Sequence, residues 1–159
     1  VLEETAADDW AELARDPEVI GTAAWLAEAC VRLDDRARAA QLYERLLPWA
    51  SHQSSIYAIV GRGSLARYLG LLARTAGLLD DAVRCFEQAL AANRAVGAEL
   101  YEAWTRWDLA ETLRARAAPG DAPRAAELQR EASAMAARLR LGRLRTAIQA
   151  SGRVPAAEP

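Results

Sequence analysis

The amino-acid sequence repeats its pattern of small and apolar residues at a spacing of 43 positions, and this constrains the fold more than any other feature. Slots that hold small or apolar side chains in one stretch hold them again in the next. The first copy has Ala23, Leu26, Ala27, Cys30, Ala39, Tyr43, Leu46 and Leu47, and the second has Ala66, Leu69, Gly70, Ala73, Ala82, Phe86, Ala89 and Leu90. Such a repeat predicts similar units stacked around one continuous core.

A third copy follows, with a shift confined to one turn. Its first half, at Leu109, Ala110 and Leu113, lies 40 positions after the second copy, whereas its second half lies 43 positions after. The second half places Ala125, Leu128 and Ala132 opposite Ala82, Cys85 and Ala89. The difference falls in the stretch 119–123, Pro-Gly-Asp-Ala-Pro. Repeats tolerate insertions best in turns of this composition.

Within each copy the apolar residues recur at spacings of three and four, which predicts two amphipathic helices joined by a short link. Asp34, Asp80 and Asp121 lie where a side-chain oxygen could cap the following helix. A small residue at Ala27, Gly70 or Ala110 would let helices approach closely, with Tyr43 and Phe86 filling the space. We expect helices at 3–15, 19–33, 36–49, 55–76, 79–96, 99–117, 121–140 and 142–150.

The order of small, Leu-Gly and Phe residues resembles the tetratricopeptide (TPR) pattern, most closely at Leu69-Gly70, Gly77, Ala82, Phe86 and Ala89-Leu90. It departs from the 34-residue form in its longer period, in Arg94 where the family has Pro, and in Gln129 where the family has an aromatic residue. The resemblance implies an all-α fold, a right-handed α-solenoid of antiparallel hairpins. The resemblance covers residues 19–140, as three repeats divided near 19–61, 62–97 and 98–140. From the charge and composition of the flanking stretches we expect an acidic N-terminal helix (1–18), a capping helix (141–150) and a disordered tail (151–159).

The repeats are also similar to the C-terminal helical regions of large bacterial regulators, in LuxR-like or MalT-like activators and class III nucleotide cyclases. The TPR groove positions, carried over residue by residue, imply a concave binding surface. It comprises Glu28, Arg32, Arg67, Leu71, Arg74, Trp104, Trp107, Glu111 and Arg114, with Ala24, Val31 and Ser64 beside them. This mixture suits an extended or helical peptide whose carboxylates meet Arg67, Arg74 and Arg114.

The charge of the chain is distributed unevenly. All 20 basic residues are Arg, and the net charge of −2 combines about −8 in residues 1–35 with about +6 in the remainder. No signal-like segment or long apolar run is present, so we expect a cytoplasmic chain. Because it begins with Val1 rather than Met and ends in an Ala/Pro-rich stretch, we also expect a piece of a larger protein.

Candidates for chemistry are few. His52 is the only histidine and has no metal-ligating neighbour at a suitable spacing, and Cys30 and Cys85 occupy apolar slots of the repeat. The stretch 61–64, Gly-Arg-Gly-Ser, could bind an anion, but it lacks a Walker lysine and more simply marks the start or a kink of a helix. We therefore expect neither a catalytic residue, a metal nor a cofactor.

Each of three surface features leaves two interpretations open. The acidic run from Glu3 to Glu18 is either the polar face of a terminal helix or a docking surface for a basic partner. The cluster Arg138, Arg140, Arg143 and Arg145 is either a solvated capping helix or a nucleic-acid contact. Trp104 and Trp107, spaced i and i+3, either pack into the stack or serve as binding anchors.

These patterns predict a protein-protein interaction or scaffolding module, a regulatory part of a larger bacterial signalling or transcription-regulator protein rather than an enzyme. It would bind a peptide or a neighbouring domain of its parent in the groove, with no membrane or direct nucleic-acid contact expected; a homodimer is compatible with the pattern. The alternative is a domain that senses a small effector and controls an attached ATPase or nucleotide cyclase.

Overall fold

The computed structural model describes residues 19–56 and 60–151, and this part of the chain is mostly helical. Seven helices and one short β-hairpin make it up. In chain order they are α1 (Val19–Leu33), α2 (Arg36–Leu46) with a 3₁₀ turn (Leu47–Trp49), β1 (Gln53–Ile56), β2 (Val60–Ser64), α3 (Leu65–Ala76), α4 (Leu79–Ala95), α5 (Glu99–Arg116), α6 (Asp121–Arg138) and α7 (Gly142–Ser151). The expected helix at 3–15 and almost all of the expected tail lie outside the described residues.

The repeat slots form the core, as the spacing predicts. The slots of α1 to α6 are buried at nearly every position, and Leu47 at 44% exposure is the exception. Helices adjacent in sequence pack on one another from α3 to α6, while α1 and α2 both pack on α3. Gly70 shows how closely they approach, because a Cβ there would lie 2.7 Å from the ring of Phe86 on α4. The small residue in α3 and the aromatic in α4 thus fit together.

The turn after the first helix of each copy contains a residue in the left-handed backbone conformation. This explains why the turn position can hold Asp in the first copy and Gly in the second. Asp34 and Gly77, 43 positions apart, have φ of 49° and 86°, and Ala117 has φ of 52°. Glycine adopts this conformation without strain, and aspartate tolerates it better than most residues. The backbone of the repeat is therefore preserved where the side chain differs.

The predicted caps are wrong in detail. Asp35 rather than Asp34 caps α2, its carboxylate accepting a bond from the Arg38 amide at 3.0 Å. Asp80 lies inside the first turn of α4, where its carboxylate pairs with Arg116 on α5. Asp121 is the first residue of α6 and accepts bonds from Arg116 and from the Ala118 amide. Two of the three predicted caps, Asp80 and Asp121, thus have carboxylates that pair with Arg116.

The expected helix at 55–76 is wrong at 55–56 and at 60–64, which belong to the two strands of the hairpin. Ile56 pairs with Val60 and Gln53 with Ser64, with an irregularity between Gln53 and Ser55. Gly63 has φ of 76°, which a right-handed helix excludes. Ser64 is extended and caps α3 with its hydroxyl, while its amide donates to Asn93 on α4 at 2.9 Å. The motif at 61–64 therefore ends a strand and starts α3.

Candidate binding groove

The first helices of the three copies, α1, α3 and α5, line one groove together with β2 and the start of α7. The groove has a volume of about 980 Å³. Six of the nine residues predicted for the groove line it: Glu28, Arg32, Arg67, Leu71, Arg74 and Trp104. The predicted faces of α1 and α3 line the groove. On α5 the counterparts of Arg67, Leu71 and Arg74, which are Trp107, Glu111 and Arg114, do not line it.

The floor of the groove contains a buried ion pair between α3 and α5. Arg67 and Asp108 are 8% and 5% exposed, and the Nε and Nη2 atoms of Arg67 lie 2.8 and 2.7 Å from Oδ2 of Asp108. Burial lowers the pKa of Arg67, but Asp108 and nearby acceptors outweigh it, and the net direction is upward. Arg67 therefore stays charged and is already paired. Its contact with a partner's carboxylate stays a prediction, although Asp108 already bonds the Nε and Nη2 atoms of its guanidinium.

Aromatic rings surround this pair. The guanidinium of Arg67 lies 5.7 Å from the ring centroid of Trp104 and 5.6 Å from that of Tyr68. These distances are typical of cation-π contacts, which are stronger where water is excluded. The floor, defined here as Arg67, Asp108, Tyr68 and Trp104, is therefore held by charge and ring contacts from two helices.

A second cation, Arg62 on β2, was missed by the sequence interpretation. Its guanidinium lies 4.4 Å from the ring centroid of Trp25, and its Nη2 donates to Glu28 at 2.8 Å. Trp25 is exposed and lines the groove, whereas the predicted neighbour Ala24 is fully buried. Trp25 lies three positions before Glu28 on α1, so helical spacing could have indicated it. Arg62 could not have been found, because the hairpin carries it there.

The rim of the groove carries four arginines: Arg32, Arg74, Arg140 and Arg143. None has a carboxylate partner within residues 19–56 and 60–151, and the Arg74 guanidinium reaches only the Asp108 carbonyl at 3.5 Å. Of the predicted C-terminal cluster, Arg138 instead pairs with Glu99 at 2.6 Å and Arg145 does not line the groove. Among the described lining residues, six arginines face two carboxylates, which gives this part of the lining a net charge of about +4.

Three predicted groove residues and one neighbour lie elsewhere. Trp107 is 7% exposed and packs with Ala132, Ala136 and Leu144 of α6 and α7, because its side of α5 faces those helices. Glu111 and Arg114 pair with each other, with Arg114 also bonded to Gln129 on α6. The predicted contact of a partner's carboxylate with Arg114 in the groove is therefore wrong. Ser64, predicted beside the groove, is buried as the cap of α3.

A second cavity adjoins the groove and has a different chemistry. It measures about 740 Å³ and lies between the α4–α5 turn, the α6–α7 turn and the hairpin. Its side chains are mostly apolar, with Val96, Leu100 and Leu139 among them, and Leu100, Tyr101 and Leu141 line both cavities. The repeat gives no signal for this turn pocket, because segments far apart in sequence form it.

The other candidates for chemistry occupy structural positions. His52 is exposed and its Nδ1 lies 3.2 Å from the Trp49 carbonyl. Cys30 and Cys85 are free and buried, and burial raises the pKa of the Cys30 thiol to about 11, which keeps it protonated and unreactive near neutral pH. Within the described ranges, no group of three His, Cys, Asp or Glu side chains could hold a metal. The acidic run at 3–18 lies outside these ranges.

Comparison with known protein families, with curated proteins and with solved structures finds no match for this chain. Among the described residues, none of the helices has the length and apolar character needed to cross a bilayer.

Proposed function

We propose that this chain is a protein-binding module whose groove captures an acidic segment of a partner protein or of a neighbouring domain of its parent. The observation that carries the proposal is the rim of four arginines around a floor already neutralised by its own carboxylate. Rim cations attract and orient an acidic segment, and Arg forms strong paired hydrogen bonds with carboxylates. In the same proposal the helices form a right-handed solenoid of three TPR-like hairpins.

The floor supports the proposal through rigidity. Arg67 and Arg62 are held by Asp108 and Glu28, so neither needs to reorganise when a ligand arrives. Trp25, Trp104 and Tyr101 add aromatic surface beside the rim, and aromatic and Arg side chains dominate binding energy in protein interfaces. A peptide with carboxylates for the rim and an apolar side for the rings would complement both parts.

Single-stranded nucleic acid is disfavoured, although it is also an anion. Such ligands bind by stacking bases on exposed aromatic faces. Here Arg62 covers one face of Trp25 at 4.4 Å, and Arg67 lies near Trp104. The rings are therefore partly occupied by the chain's own cations, whereas the rim arginines are open to carboxylates.

A phage-displayed library of random peptides, selected on the intact chain, tests the proposal. We expect enrichment of Asp and Glu, and Arg143→Glu should weaken an enriched peptide roughly five- to tenfold in fluorescence anisotropy. Arg145→Glu is the matched control, because it is also exposed on α7 but does not line the groove. Equal losses in both variants, no acidic enrichment, or displacement of the peptide by oligouridylate at equal concentration would overturn the proposal.

The second candidate is sensing of a small anionic effector, and the volume of the groove favours it. A cavity of about 980 Å³ lies at the upper end of the range for small-molecule sites. Citrate, glutarate and ATP can each be titrated against the melting temperature. A saturable rise that Arg74→Ala abolishes and Arg145→Ala preserves would favour the effector, and no rise would leave the peptide as the better candidate.

A further inference from the structure

We propose that the partner segment also carries one bulky apolar side chain, which enters the turn pocket while neighbouring acidic residues meet the rim arginines. This inference rests on the proposed function and specifies its ligand. It assigns a role to the turn pocket, which the repeat does not predict.

Exposed apolar residues concentrate at this place. Val96 and Leu100 are 61% and 41% exposed, although both lie beside the apolar Leu139 and Leu141. Single exposed apolar residues are ordinary, but several around one concavity indicate an interaction site. Among the described lining residues of the pocket the one charged side chain is Glu99, and Arg138 engages it at 2.6 Å. An apolar side chain therefore meets no unpaired charge among the described lining residues.

Contacts within the chain hold the walls of the pocket in place. The hydroxyl of Tyr101 donates to the Gly61 carbonyl at 2.8 Å, which fixes the hairpin against α5. Gly63 lies so close that a Cβ there would be 2.6 Å from Cγ of Tyr101. On the other wall the Leu141 amide donates to the Ala136 carbonyl at 2.9 Å. Because its walls are fixed, little ordering free energy is lost on binding.

The turn pocket and the groove share three lining residues, and this links the apolar side chain to the acidic residues. Leu141 lines both cavities, and Arg140 and Arg143, one position before it and two after it, belong to the rim. An extended chain advances about 3.3 Å per residue, so an acidic residue within about four positions of the apolar one could reach these guanidinium groups. One short segment can therefore fill both sites.

The occupant is a partner's acidic and apolar segment rather than the same face of a second copy. The argument is charge complementarity: the described lining of the adjoining groove carries about +4, and the same face of a second copy would bring the same charge against it. Sedimentation velocity on the unliganded chain should give a monomer. A dimer that Leu100→Ala dissociates would overturn the proposal.

The same peptide library separates this inference from the proposed function. We expect Leu, Ile, Met, Phe or Trp at one position with a constant offset from the acidic residues. Acidic enrichment without such a position would overturn this inference and leave the proposed function standing. Enrichment of neither kind would overturn both.

A double-mutant cycle then locates the apolar residue. Replacing it by Ala should weaken the enriched peptide at least about tenfold on the wild-type chain. On Leu100→Ala and on Val96→Ser the same replacement should cost less than about threefold, since its contacts are already lost.

Leu78→Ala is the control, because Leu78 is also 41% exposed but lines neither cavity. It should retain the full tenfold cost, and melting curves should show all three variants folded. An undiminished cost on both Leu100→Ala and Val96→Ser would overturn the assignment of the turn pocket.

Discussion

The floor and the rim of the groove contain the same residue type in opposite circumstances. On the floor Arg67 is buried and bonded to Asp108, and on the rim Arg143 is exposed with no carboxylate partner in the described ranges. Removing a guanidinium from water is costly unless an opposite charge replaces the water. The chain supplies that charge for the floor, whereas exposed rim cations keep their hydration and need none.

The difference shows why arginine content alone does not identify binding residues. A buried arginine that is already paired stabilises the relative positions of two helices, and an exposed unpaired one attracts a ligand. The groove therefore combines a rigid scaffold with an electrostatic surface, and each part can be perturbed separately.

The largest effect should come from breaking the floor pair. Asp108→Ala leaves Arg67 charged and buried, and we expect a loss of about 3–5 kcal/mol in the free energy of unfolding. Urea titration measures it. Asp81→Ala, which removes the half-buried partner of the exposed Arg84, should change little.

The paired replacement Arg67→Met with Asp108→Leu sharpens this test, because it removes both charges and should recover most of the stability. If the single Asp108→Ala variant unfolds no more easily than Asp81→Ala, the floor is not the stabilising element described.

A smaller loss should follow from changing how α3 lies on α4. Gly70→Ala places a methyl group 2.7 Å from Phe86, and overpacking of this kind costs about 1–3 kcal/mol. The better helix propensity of Ala offsets part of it. Urea titration again gives the value, and Gly70→Ala combined with Phe86→Leu should lose less than the two changes summed. Simple additivity would contradict the close contact.

Salt should distinguish the rim from the floor. Raising ionic strength from about 0.05 to 0.5 M should weaken the enriched peptide roughly three- to tenfold, because exposed charges are screened. The stability lost in Asp108→Ala should stay nearly constant over the same range, since the buried pair is protected from ions. Anisotropy and urea titration in parallel measure both. Equal salt dependence of the two quantities would remove the distinction between floor and rim.

The smallest effect should appear at acidic pH. It should come from Asp121, which belongs to neither the floor nor the rim of the groove. Hydrogen bonds from Arg116 hold the pKa of Asp121 below its usual 3.8, so the stability it contributes is present above pH 3.8 and is lost as the pH falls through the lower, folded value. Asp121→Asn should therefore flatten the decline of melting temperature below about pH 4. Asp80→Asn is the control, since its side chain is almost fully exposed. Identical acid profiles in both variants would contradict this assignment.

The sequence could predict those parts of the groove that depend on helical periodicity. Glu28 and Arg32 share one face of α1, and Leu71 and Arg74 share one face of α3, so spacings of three and four bring each pair into the groove. The sequence misassigned the face of α5, because Trp107, Glu111 and Arg114 lie outside the groove. It could not predict whether Arg67 is free, because Asp108 lies 41 positions away on another helix. The same holds for Arg62, which a hairpin within an otherwise helical repeat carries to Trp25.

Local spacing, repeated along the chain, is enough to predict the helical class, the turns between most helices and most of the buried slots. The packing of the helices is needed to establish which arginines are neutralised, that Trp104 lines the groove while Trp107 is buried, and that two turns and a hairpin enclose an apolar pocket. Charge pairing and burial depend on the distance between residues far apart in sequence, and that distance exists only once the helices are packed.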